Sequence, residues 1–327
     1  MLILAGLSDL RLPNAAWEEK SYLFDFSDVS RTMSSHRPPA QNRRASGPPS
    51  SRPAHSPDTA NDGFSSDFTH RFERLELKYL VDEITTADIR RQIAPYCLPD
   101  KHSSQAATDR PGMKGYPIRS LYLDTPSLAF HNAKERGDPD RIKLRIRTYS
   151  DTSPAILEIK RRRRDVIDKT RGIVDRDRVK EVAHGMVVDP EQGRFLSEFS
   201  GLIATAGAEP KLSVKYEREA YVSQVDDYAR VTFDRHIEVQ SATNWDLSPE
   251  NESWCSFNEY WQTDHFTLPV VMEIKCRTSS LPHWVIDMVR ENALAQTSFS
   301  KYSIGIHLTH RHDGQRANRS RSARALG

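Results

Sequence analysis

The chain has 327 residues, 28% of them charged and 37% hydrophobic, with a formal net charge of only +2. That length holds one large domain or two small ones. The near balance of charge excludes a chain that works through overall basicity, so any polyanion signal has to be local. Cys97, Cys255 and Cys276 fit neither a disulfide framework nor cysteine metal-ligand spacing, and read as free thiols of a reducing compartment.

No stretch reaches the length of a membrane span. The opening Met-Leu-Ile-Leu-Ala-Gly-Leu lacks the basic flank and cleavage site of a signal peptide, so a cytoplasmic protein is expected. Residues 1–69, with HRPPAQNRRASGPPSSRPAHSPDTANDG, are too poor in apolar side chains to order themselves and read as a disordered arm. Met33 within it is a second candidate start.

Order is expected from Phe72. In RFERLELKYLV, Arg74, Glu76 and Lys78 alternate with Leu75, Leu77 and Tyr79, the period of a strand with one polar face. A helix is expected over Thr85–Tyr96, capped by Thr85 or Thr86. A polar loop is expected over 100–115 and a strand over Ile118–Asp124. A helical turn over Pro126–Lys134 brings Lys134 near the next element.

That element is Arg141–Lys160, RIKLRIRTYSDTSPAILEIK. Ile142, Leu144 and Ile146 fall on one face of its first strand, and Arg141, Lys143, Arg145, Arg147 and Tyr149 on the other. Ser150–Pro154 is a turn, and the return strand sets Leu157 and Ile159 against Glu158 and Lys160.

Arg161–Asp165 is a basic run, and Val166–Val174 a strand carrying Lys169 and Arg171. Helices are expected over Asp177–His184 and Pro190–Ala206. Lys211–Ser223 and Ala229–Val239 form a hairpin turning at Asp226 and Asp227. Residues 240–266, with Trp245, Trp254 and Trp261, read as an insertion in which the tryptophans pack. A strand over Leu268–Cys276, a helix over Pro282–Leu294 and a closing segment over Phe299–Leu308 follow. From His310 the chain carries five arginines and one aspartate, a flexible basic tail over 311–327.

Taken alone, the cationic face of one hairpin reads as solvated, since antiparallel sheets often wet one face. Glu158 with Lys160, and Glu273 with Lys275, likewise read as exposed strand pairs worth under about 1 kcal/mol. Arg161–Arg164 reads as a solvated edge. Two features oppose the bland reading of the hairpin. Like charges at neighbouring strand positions destabilise a sheet unless something neutralises them. The same alternation also returns in other strands. Such faces turned toward each other make a tunnel lined by Lys and Arg, whose ligand is a phosphate-rich polyanion. His236 and His265 stand isolated, which argues against a histidine metal site, and no Walker-type loop is present.

In this order, RFERLELKYLV, YPIRSLYLDTPSLAFHNAKERGDPDRIKLRIRTY, LEIKRR, VKYEREAY, VMEIK and SFSKYSIG resemble the VTC domain over about residues 70–310. That is the polyphosphate polymerase domain of the wider CYTH or triphosphate tunnel superfamily. The resemblance implies an α+β fold, a closed antiparallel β-barrel (the triphosphate tunnel) with helices packed outside. It also implies roles. Lys78, Lys134, Arg145, Arg147, Lys160, Lys169, Tyr216, Arg218, Lys275, Ser300 and Lys301 bind phosphate. Arg145, Arg147 and Lys301 serve catalysis, and Glu273 binds a divalent metal, Mn²⁺ or Mg²⁺. One departure stands in the first strand, where Arg74 takes the place of the first acid of Glu-x-Glu-x-Lys. This removes a metal-ligand candidate and favours the polymerase branch over the triphosphatase branch.

Implied partners are ATP and inorganic polyphosphate, with a membrane partner for export of polymer and a peripheral place at the inner membrane face. A tripolyphosphate or organic triphosphate hydrolase of the same fold is the second reading. A polyphosphate- or nucleotide-binding sensor is the third.

Overall fold

The computed structural model describes residues 74–325 except 110, 113, 165, 187–192, 227, 251–253, 260–268 and 278–280; side chains at 74, 259, 312 and 315–325 are also outside the description. The expected arm, Met33, Asp227, Trp261 and His265 therefore lie outside the described residues.

Ten strands form one antiparallel sheet: β1 (Arg74–Val81), β2 (Cys97–Pro99), β3 (Tyr116–Asp124), β4 (Asp140–Thr148), β5 (Ala155–Arg163), β6 (Val166–Val174), β7 (Glu209–Ser223), β8 (Ala229–Ser241), β9 (Cys255–Ser256) and β10 (Val270–Arg277). The hydrogen-bonded order is β1-β10-β8-β7-β3-β4-β5-β6, with β2 added on β7 and β9 on β8. Seven α-helices accompany it: α1 (Glu83–Ile93), α2 (Lys101–Asp109), α3 (Ala129–Glu135), α4 (Val179–Ala183), α5 (Gly193–Ala206), α6 (His283–Glu291) and α7 (Lys301–Ala325).

The fold is α+β as expected, but among the described residues no backbone ladder joins β1 to β6. The ladder is that of a large antiparallel sheet, and it curls until side chains of β1 and β5 meet. Glu76 of β1 reaches Lys160 of β5 at 3.8 Å.

Apolar strand faces set the layers. Leu77, Tyr79, Phe233, Met272 and Ile274 turn to α1 and α6, where Ile89, Ile93, Trp284, Val285 and Met288 bury against them. Leu144, Ile146, Leu157 and Ile159 turn to α4 and α5, whose Leu196, Phe199 and Ile203 follow helical spacing. The opposite, concave face receives α7. Tyr302 stacks on Tyr122 at 5.0 Å, and Tyr302 and Ile306 share a core with Leu212, Val214 and Val239. Expecting every helix outside the sheet therefore fails for α7.

Local chemistry explains where element boundaries differ from expectation. Asp82, not Thr85 or Thr86, caps α1, because its carboxylate accepts the Thr85 amide at 2.6 Å. The expected loop over 100–115 contains α2. Asp100 accepts the Ser103 amide at 2.8 Å, and only Ser103 and Ala106 are buried, so no large apolar residue announces the helix. The closing segment is the start of α7, whose backbone continues past residue 310, where the basic tail was expected to begin.

Gly115 leads into β3, where a Cβ atom would lie 2.8 Å from the backbone oxygen of Arg218. Backbone cannot rotate away as a side-chain tip can. Gly115→Ala is expected to cost about 1–3 kcal/mol, the usual price of overpacking. Thermal unfolding checks this, and an unchanged midpoint would refute it.

Candidate active site on the concave face

Register places the charged residues. Opposite residues of an antiparallel pair share a face, so Tyr122, Arg145, Glu158 and Arg171 form one row and Lys143, Lys160 and Lys169 the next. At the other end of the sheet, Glu76 faces Lys275 and Lys78 faces Glu273, while Arg218 faces Asp234. Curling turns these rows toward one another. The solvated-face reading of the β4 hairpin is thereby corrected: Arg147 is only 7% exposed.

Three buried carboxylates organise the cations. Glu158, 2% exposed, accepts from Arg145 and Lys169 and lies 3.1 Å from Arg171. Burial opposes its charge, but Arg145, Arg147 and Lys169 overcome that and hold the carboxyl far below its ordinary range. Among the described residues the expected Glu158–Lys160 pair is absent, because Glu158 is taken by cations from β4 and β6 while Lys160 turns to Glu76.

Asp234 holds Arg218 through two bonds of 2.7 and 2.8 Å and also accepts from Lys301. Burial again opposes, yet Arg218 and Lys301 lower its pKa to about 2. Glu273 pairs with Lys275 at 3.2 Å and Lys78 at 3.9 Å, and both pairs are largely buried rather than exposed. The Glu76 carboxyl bonds Lys78 at 2.9 Å.

Other cations lack such a partner. Among the described residues no carboxylate lies within ion-pair distance of Lys143 or Arg147. Lys143 reaches only the Ser300 hydroxyl, at 3.5 Å. Arg147 donates to Ser120 and to the Tyr216 hydroxyl, both at 3.2 Å. Burial and the charges of Lys160, Lys78, Lys134 and Arg145 lower the pKa of Lys143 to about 7. Burial and Arg145 lower Lys169 to about 6. Such a face is short of negative charge.

A polyanion on this face would restore both ammonium groups. Folding alone sheds the Lys143 proton between about pH 7 and its unfolded value of 10.5, and the ligand reverses this. Tripolyphosphate binding at pH 8 is expected to take up about one to two protons. Calorimetry in buffers of different ionisation enthalpy reads this, and Lys143→Met should remove roughly one of them. Binding enthalpies that do not depend on the buffer would contradict the expectation.

Lys78, Arg145, Arg147, Lys160, Lys169, Tyr216, Arg218, Glu273, Lys275, Ser300 and Lys301 thus come together on one face. Lys78 also donates to the Phe299 carbonyl at 3.1 Å, and Lys301 lies over the Tyr216 ring at 4.6 Å. Lys134 stands apart on α3, bonded to Glu135 at 2.9 Å, although Lys143 feels its charge. Sequence reasoning missed Lys143, Arg171, Tyr122, Glu158 and Asp234 as site residues. Strand alternation held a signal for Lys143 and Arg171, two positions from Arg145 and Lys169. Asp234 had none, because only the β7–β8 register sets it against Arg218.

Residues set aside from the site go elsewhere. Arg161 bonds Glu198 of α5 at 2.6 Å, whereas Arg162 and Arg163 are exposed. Trp254 lies under Lys215 at 4.3 Å, Trp245 packs on the core, and Cys276 is fully buried.

A family model described as the VTC domain matches residues 73–310. A comparison with curated proteins finds no match. Three solved structures are similar. A candidate adenylate cyclase from Bacillus halodurans is 12% identical, with 70% of this chain and 94% of that one covered and a TM-score of 0.39. A candidate adenylyl cyclase from Hippeastrum, described as having a dominant triphosphatase activity, is 14% identical, with coverage of 72% and 96% and a TM-score of 0.38. The PH1819 protein from Pyrococcus horikoshii is 12% identical, with coverage of 73% and 98% and a TM-score of 0.36.

Proposed function

Because the chain belongs to the VTC-domain family, we propose that it is an ATP-dependent polyphosphate polymerase whose curled sheet serves as the tunnel for substrate and product. The observation that carries this reading is the surplus of buried cations on the concave face, with Lys143 and Arg147 free of any carboxylate among the described residues. Phosphoryl transfer needs little covalent help from a protein; it needs positioned positive charge.

In this proposal Arg145, Arg147, Lys160, Lys169 and Lys78 hold the triphosphate of ATP. The bond between the γ-phosphorus and the bridging oxygen breaks, a terminal oxygen of the acceptor chain bonds to that phosphorus, and ADP leaves. Arg218 and Lys301, held by Asp234, neutralise the acceptor and the transferring oxygens. Lys275 and Ser300 line the path of the chain.

The Glu273 neighbourhood fits a hard divalent ion, since the Glu76 and Glu273 carboxyls both lie within 3.9 Å of Lys78 Nζ and offer oxygen ligands. Mn²⁺ or Mg²⁺ held by Glu273, with Glu76 beside it, would supply neutralisation of phosphate oxygens.

We place the activity in the cytoplasm with ATP and inorganic polyphosphate as partners. No helix among the described residues is long and apolar enough to cross a membrane. Export of polymer is, in this proposal, the work of a separate membrane protein that this chain meets at the inner face.

The test is incubation of purified protein with ATP and Mn²⁺, followed by gel staining for polyphosphate. Long chains support the polymerase. Orthophosphate without polymer would replace it with a triphosphate hydrolase. Tight polyphosphate binding without turnover under varied metals would replace it with a sensor.

A further inference from the structure

A second cluster lies between α3 and α7, and the isolated-histidine expectation missed it. His131 and Glu135 stand four residues apart on α3, so their side chains share one side of the helix. His307 of α7 completes the group, and one ligand atom from each of the three lies within 4.8 Å of the others. His131 Nδ1 is 3.9 Å from Glu135 Oε1. The two imidazole rings meet edge to face at 5.3 Å rather than stacking.

An independent observation points to a ligand. His131 is only 4% exposed, and its Nδ1 has no hydrogen-bond partner. Leaving a buried polar atom unsatisfied costs about 1–3 kcal/mol, and folds rarely tolerate it without a reason. The rest of the residue is firmly held. Asp124 accepts the His131 amide at 2.9 Å and the Tyr302 hydroxyl at 2.6 Å, fixing α3 against α7.

We propose that His131, Glu135 and His307 bind one transition-metal ion of the zinc class, which staples α3 to α7. Two imidazole nitrogens and one carboxylate oxygen suit Zn²⁺ or Co²⁺ far better than Mg²⁺ or Ca²⁺, which take oxygen ligands. Bonds of about 2.0–2.1 Å in a tetrahedron set ligand atoms roughly 3.3 Å apart. The cluster therefore has to tighten by up to about 1.5 Å from its 4.8 Å span, a movement that the exposed His307 and Glu135 side chains supply, Glu135 by leaving Lys134. Their exposure also gives the ion an entry path and an open coordination position.

The consequence reaches the concave face through both helices, since α7 begins at Lys301 and α3 carries Lys134. Drawing Glu135 onto the ion releases Lys134, which otherwise bonds that carboxylate. The site is distinct from Glu273 and does not depend on the polymerase reading.

The full chain, stripped of metal by chelation, is titrated with Zn²⁺ by calorimetry and with Co²⁺ by visible absorption. One ion per chain is expected, with a tetrahedral cobalt spectrum and a rise in the unfolding midpoint. His307→Ala and Glu135→Gln each should weaken Zn²⁺ binding about a hundredfold, whereas Glu273→Gln should leave it unchanged. His307 is exposed, so its loss does not endanger folding. Wild-type affinity in both variants, or no ion taken up by the wild-type chain, would overturn the proposal.

Discussion

Lys301→Ala should lower the rate of phosphate transfer from ATP about a hundredfold to a thousandfold, the loss found when one donor to a developing oxyanion is removed. Lys301 opens α7 and points its ammonium at Asp234 and over the Tyr216 ring, beside the bidentate Arg218. Its removal leaves no orphaned charge, because Asp234 keeps both bonds to Arg218. The fold should survive, with the unfolding midpoint close to wild type. The loss should fall on kcat more than on KM, since in the proposed binding mode Arg145, Arg147 and Lys160 would still hold the triphosphate. Single-turnover rates at saturating ATP are the measurement. A rate within about threefold of wild type would remove Lys301 from the mechanism, because threefold is far below the oxyanion precedent.

Glu158→Ala should have the largest effect on stability. One buried carboxylate serves Arg145, Lys169 and Arg171, and its loss leaves the two guanidinium charges without their shared counter-ion in a confined space. Breaking a buried ion pair from one side costs about 3–5 kcal/mol, which lowers the unfolding midpoint of a domain this size by roughly 10 °C. The pH dependence follows from the depressed pKa of Glu158. Its contribution is complete above the unfolded value of 4.5 and is lost only as pH falls through the still lower folded value. The Glu158 carboxyl's own share of the gap between variant and wild type should therefore stay constant from pH 8 to about 5 and narrow below that, with the titration of Lys169 near pH 6, which Glu158 raises, superimposed on it. Tripolyphosphate should restore more stability to the variant than to wild type, since its oxygens replace the missing carboxylate. An equal shift in both proteins would mean that the ligand does not reach these cations.

The sequence by itself determined the eight longer strands and the polarity of their faces, because a strand's two faces are written at period two within a few residues, whereas the short β2 and β9 carried no such pattern. Arg145 and Arg147 with Ile146, and Lys78 with Leu77 and Tyr79, needed no partner to be sorted. Its order of motifs also pointed to the family that the chain joins. Three kinds of fact were beyond it. Weakly apolar helices such as α2, and the cap at Asp82, rest on single side-chain bonds to backbone amides that composition does not reveal. The direction in which the charged face turns was decided by the curl of the sheet and by α7 entering its concave side, so residues that read as solvated became buried. Pairings across long stretches of chain arise only once register and helix docking are set: Asp234 with Arg218 and Lys301, Glu158 with three cations, His131 with His307. Local periodicity records which face a side chain shares; only tertiary structure decides what that face meets, because the partner's position depends on every strand and helix packed between them.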